Sequence, residues 1–238
     1  ITTHHVNFTH LKRAGFKTRY VDHSGYIHTY AISQPTVKVE ATLHVSDTAL
    51  MKAATIVALM LKNSPNDVFL GLSKSHGVGI FSKSDGPTVY PEFAQNADTP
   101  QCRGICTGSC RHTCTGDGRK YSELAGIANS RAVVLDDNLL CNSHDPYGHK
   151  ENILVHEFGH VVKFYMPSHY QQRINYVYNY AKTHSVWYST YAMSNADEYW
   201  AEATSSFFMT ITRPRTTGPA GGMNLYAAFF HFFALALA

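Results

Sequence analysis

The stretch ILVHEFGHVVKFY, Ile153–Tyr165, restricts the fold more than any other part of the chain. Its apolar residues fill most of a helix that belongs in a core, yet it carries two histidines and a glutamate. An unpartnered polar group taken out of water costs roughly 2–7 kcal/mol. A buried helix of this composition therefore needs something to offset three such groups, and a metal ion is the leading candidate. His156 and His160 stand four residues apart, so on a helix they share one face. Both imidazoles can meet one ion, and Glu157, next to the first, can reach a water there as general base. A catalytic zinc takes three protein ligands and keeps an open position. The third ligand must then come from another helix or loop.

Downstream stands YAMSNADEYWAEATSSFF, which begins at Tyr191. Glu198 and Glu202 are again four apart on a predicted helix, among Tyr199, Trp200 and Phe207. Carboxylates in such surroundings need partners. One on the metal and one holding a metal-bound histidine would satisfy both, since an acid behind an imidazole orients it and raises its basicity. The spacing alone leaves open which glutamate does which.

HEFGH followed after about forty residues by E-Y-W-A-E-A resembles the gluzincin metallopeptidases. Within them it is most similar to the family of the anthrax lethal factor catalytic domain and the Pro-Pro endopeptidases, which read E-(aromatic)-(aromatic)-A-E at this helix. The resemblance spans residues 152–208. It implies a zincin-like fold, Glu198 as third zinc ligand and Glu202 as the acid behind a ligand histidine. It also implies that Tyr191, seven residues before Glu198, stabilises the oxyanion. The segment GVGIFSKSDG resembles the edge strand that binds substrate beside such sites, which implies that Gly77, Val78, Gly79 and Ile80 hold an extended peptide. The N-terminal third and the cysteine-rich stretch have no counterpart in the family.

The remaining pattern is mixed. Alternation predicts a strand at 37–45. Short strands are also expected at 131–135 and near 26–32. Short apolar runs at 68–72 and 78–82 read as a strand pair around SKSHG. A helix capped by Ser46 or Asp47 runs to Lys62, with apolar positions nearly all round. Residues 85–120 form a long loop, which at that length points to function or cross-linking. Helices follow at 151–166, 170–184 and 197–210. Strands early and helices late give an α+β class. The 238 residues suffice for one metallopeptidase domain, with an N-terminal lobe at 1–149 and a helical lobe at 150–238.

Four of the five cysteines are bunched, Cys102, Cys106, Cys110 and Cys114; the fifth is Cys141. Glycines and threonines between the four argue for a disulfide-stapled loop in an oxidising compartment, with a thiolate zinc site as the alternative. The odd cysteine is left free or joined to another chain. The chain starts ITTHH, which suits a secretory product whose leader has been removed, and Asn7-Phe8-Thr9 is an N-glycosylation sequon. A net charge of +3 without a Lys/Arg block gives no footprint for nucleic acid. The apolar segment 225–238 is too short to cross a membrane and reads as a core or partner-packing helix.

The expected activity is a secreted zinc endopeptidase acting on peptides or proteins, with Glu157 as general base. The competing expectation is a non-catalytic or latent structural or accessory protein on the same scaffold, in which the cysteines and apolar segment serve assembly. A zinc hydrolase acting on a non-peptide bond is a third reading, because site chemistry and fold do not fix the substrate.

Overall fold

The computed structural model describes residues 15–208 and residue 210. The Asn7 sequon and the apolar segment 225–238 lie outside them. The described chain is α+β, built on a six-stranded mixed sheet. Its strands are β1 (Phe16–Val21), β2 (Ile27–His28), β3 (Val37–Thr42), β4 (Gly77–Phe81), β5 (Gly126–Ala128) and β6 (Arg131–Leu135). They lie in the order β2-β1-β3-β4-β6-β5. β3, β4 and β6 run parallel, and the outer pairs are antiparallel.

Parallel neighbours require crossovers, which α1 (Asp47–Leu61) and α2 (Asn66–Leu72) provide between β3 and β4. Ser46 starts α1 as the sequence suggests, its hydroxyl accepting from the Ala49 amide at 3.1 Å. Residues 68–72 are helical, not the strand their apolar content predicts. Pro65 immediately before Asn66-Asp67 makes a helix start, and Val68, Phe69 and Leu72 fall on one buried face. The helical half comprises α3 (Asp136–Leu140), α4 (Ile153–Tyr165), α5 (Ser168–Thr183) and α6 (Ala196–Phe207).

Side chains alternate across the inner strands. Val78, Ile80, Ala132 and Val134 join the main core with α1 and α4. Phe81, Val133 and Leu135 face the other way, against Tyr90 and Phe93 from the 3₁₀ turns after β4. Both faces are covered, which is why these strands read as unbroken apolar runs.

The expectation that Gly77, Val78, Gly79 and Ile80 form a peptide-binding edge is overturned. β4 is interior, hydrogen-bonded to β3 on one side and β6 on the other, so it has no open edge to add a strand to. Its glycines answer local crowding. Gly77 has φ +74°, and a Cβ there would lie 2.0 Å from the Lys38 carbonyl oxygen of β3. At Gly79 a Cβ would meet the Tyr90 ring at 2.5 Å. That ring lies flat on the strand and its hydroxyl donates to the Ile80 carbonyl at 2.8 Å. Beneath it, Arg131 holds both Glu92 oxygens at 3.2 Å and Glu40 at 2.7 Å. This buried ion cluster ties the turns at 87–96 to the sheet.

The long loop 85–120 holds 3₁₀ turns and one isolated bridge, Cys114 to Lys120, with no regular helix or strand. Two disulfides, Cys102–Cys110 and Cys106–Cys114, staple it. Cys141 is free and exposed. Among the described residues no helix is long and apolar enough to cross a membrane.

Candidate metal centre

α4 lies on the sheet and carries the HEFGH motif. Asn152 caps its start, accepting from the Val155 amide, and Ile153, Leu154, Phe158 and Val161 bury its inner face. One turn apart on the opposite side, the Nε2 atoms of His156 and His160 come within 3.2 Å. α6 crosses this helix. Its cap, Asn195, accepts from the amides of Asp197 and Glu198 at 2.8 and 2.9 Å, which places both acids in the first turn, where the helix dipole favours negative charge.

Two contacts fix the crossing. Trp200 Nε1 donates to the Gly159 carbonyl at 2.9 Å, and Lys163 Nζ donates to Asp197 Oδ1 at 2.5 Å. At that crossing Glu198 Oε2 lies 3.2 Å from His156 Nε2 and 3.5 Å from His160 Nε2. The three predicted ligands thus present converging donor atoms. On the far side of the His156 ring, Nδ1 lies 3.4 Å from Glu202 Oε1 and 3.6 Å from Glu151 Oε1.

The electrostatics follow from this crowding. Burial alone would disfavour a charged His156, but the carboxylates of Glu198 and Glu202 outweigh it and raise the imidazole well above its ordinary value. Burial would likewise raise Glu198, but the imidazoles of His156 and His160 close against its carboxylate hold it far below the usual carboxylate range. Burial pushes Glu157 up. Tyr191 rises through burial and the Glu198 charge, so its hydroxyl stays a donor near neutral pH. Its ring centroid is 6.4 Å from that of His156.

The residues fit a zinc ion. Two imidazoles and one carboxylate match a catalytic donor set. Glu198 Oε2 and both Glu202 oxygens are buried without a hydrogen bond of ordinary geometry. A cation at the two Nε2 atoms would compensate Glu198 directly. It would also fix the proton on His156 Nδ1, for donation to Glu202.

The site opens into a cleft of about 450 Å³. Glu157, His160 and Lys163 form its floor, Tyr191 and Asn195 one wall, and β5 with Arg119 the other. β5 is the true sheet edge here. The Ala125 carbonyl and the Asn129 amide bond to β6, so alternation turns the amides and carbonyls of Gly126 and Ala128 outward, to the open side. Gly126 abuts the motif helix: a Cβ there would lie 2.3 Å from Ile153 Cγ2 and 3.2 Å from Glu157 Cγ.

Sequence reasoning placed His156, Glu157, His160, Tyr191, Glu198 and Glu202 around one point, and the structure brings them together. It does not bring Gly77 to Ile80 there. Glu151, Lys163, Asp197 and β5 were missed. A lysine three residues after His160 within an apolar helix was a signal for an ion pair at the helix surface. Glu151 gave none: the sequence places it at the first position of the motif helix, off the face shared by His156 and His160, whereas the helix begins only at Ile153. Comparison with protein-family models, curated proteins and solved structures gives no match.

Proposed function

We propose that the protein is a zinc-dependent endopeptidase of zincin-like, gluzincin type. The observation that carries this reading is the convergence of His156, His160 and Glu198 beside Glu157, in a cleft walled by an open sheet edge. Zinc bound by those three side chains would act as a Lewis acid toward water and the scissile carbonyl. The other roles belong to the chain. Glu157, raised by burial, accepts a proton from the attacking water and returns it to the leaving amine. Tyr191 donates its hydroxyl to the developing oxyanion. Glu202 holds the His156 ring in place. An extended peptide adds to β5 through the free backbone groups of Gly126 and Ala128, the role the sequence had assigned to β4. The two disulfides suit an oxidising compartment, in keeping with a secreted enzyme.

The test is cleavage of a mixed peptide library by zinc-loaded protein, beside Glu157→Ala and beside a chelator-treated sample. Cleavage lost in both controls is the expected result. Undiminished cleavage by Glu157→Ala would refute the assignment of the base. No cleavage by folded, zinc-loaded protein would favour a non-catalytic role for the same scaffold.

A further inference from the structure

The peptidase reading leaves the stapled loop without a purpose, and its geometry suggests one. Residues 114–120 form a small hairpin, with Cys114 bridged to Lys120 and the Thr115 amide donating to the Arg119 carbonyl at 2.8 Å. The base is rigid. Cys106–Cys114 closes one side. Lys120, only 4% exposed, donates to Asp98 at 3.0 Å, to Thr113 Oγ1 at 2.6 Å and to the Cys102 carbonyl. A buried ammonium with three acceptors from the stapled segment is an anchor, and it adjoins Arg119.

Arg119 is thereby held at the cleft wall, next to the open edge of β5. Two cations line this cleft. Lys163 is engaged by Asp197. Arg119 pairs with Asp117 through Nε at 2.8 Å, and its two terminal nitrogens have no hydrogen-bond partner among the described residues. A guanidinium presented this way matches a carboxylate in fork geometry.

Resting on the peptidase reading, we propose that the stapled hairpin is a specificity arm whose Arg119 recognises a carboxylate of the bound peptide, from an acidic side chain or a free C-terminus. Arg119 is 59% exposed, so solvent screens the pairing and the preference is modest, about fivefold in kcat/KM.

The experiment uses zinc-loaded wild type, Arg119→Ala and Arg119→Glu. The probes are fluorescein-labelled decapeptides with Glu, Gln or Lys walked through each position, each made with a free and an amidated C-terminus. Wild type is expected to favour Glu over Gln at one position, or the free over the amidated terminus; which ratio moves identifies the source of the carboxylate. Arg119→Ala abolishes that ratio, and Arg119→Glu reverses it toward Lys or the amide. A reversal, unlike a loss, cannot come from a misfolded hairpin. Identical ratios in all three proteins overturn the proposal. If wild type cleaves nothing, the peptidase reading fails on its own, and anisotropy titration of the same peptides decides the recognition. Arg119-dependent binding of acidic peptides then sustains the proposal, and its absence overturns it.

Discussion

Gly126→Ala tests whether β5 lies against the motif helix as described. The added Cβ would sit 2.3 Å from Ile153 Cγ2 and 3.0 Å from the Val133 carbonyl oxygen. Carbon atoms pack at roughly 3.5–4.0 Å, so relief needs a displacement of more than ~1 Å. A methyl on a branched Cβ within a helix cannot simply rotate away, because one rotamer dominates there. The carbonyl belongs to a paired strand. Overpacking of this kind costs roughly 1–3 kcal/mol, and for a chain of this size each kcal/mol lowers Tm by about 2–4 °C. The comparison is Gly159→Ala, on the same helix. Its Cβ would meet Ala201 and Thr204 at 3.5 Å, ordinary contact, while helix propensity gains roughly 0.5–1 kcal/mol. Thermal and urea unfolding of both variants should separate them, Gly126→Ala below wild type and Gly159→Ala level with it or above. Equal stability of Gly126→Ala and wild type, or the reverse order of the two variants, would refute the packing argument. A shift of about 1 Å at Glu157 should also lower turnover by about a hundredfold if the peptidase reading holds.

Zinc should raise the Tm of the metal-free wild type and leave His160→Ala and Glu198→Ala nearly unmoved, as scanning fluorimetry with zinc titration would show. Reduction should free the loop before the fold: each disulfide spans a separation of 8 residues, worth about 2–3 kcal/mol locally, so trypsin should nick first at Arg103 and Arg111 in reduced protein. Burial would raise Glu92, but its bond to Arg131 outweighs this and holds the carboxyl below its ordinary value. Its contribution is therefore full above about pH 4.5 and fades as pH falls through the lowered value. Glu92→Gln should cost about 1.5–3 kcal/mol at pH 7, a gap that narrows in urea unfolding at pH 3.

The two helices that build the centre were legible because their signals are periodic. His156 with His160, and Glu198 with Glu202, each repeat at one helical turn, and Asn195 caps the second helix just before its acids. The strands were harder. β1, Phe16-Lys17-Thr18-Arg19-Tyr20-Val21, was not predicted, because only its ends are apolar and its middle reads as polar. β5 has three residues and no polar alternation, too little for any period to register. The helix at Asn66–Leu72 was misread because a short apolar run is ambiguous until its cap is weighed. Which strand lies at an edge depends on crossovers far apart in sequence, so β4 was given a position that only the topology could deny it.

On the peptidase reading, the proposed metal ligands and base are encoded within residues 156–198, whereas the wall that would face a bound peptide is encoded at 119–128. The two stretches meet only after folding, so mutation can sample them independently. Length changes at the hairpin tip, beyond Cys114 and before Lys120, would leave the chemical apparatus untouched. If the chain is a peptidase, a lineage built on this plan changes what it cleaves by rewriting a handful of residues, much as an exchangeable tool bit leaves the motor alone.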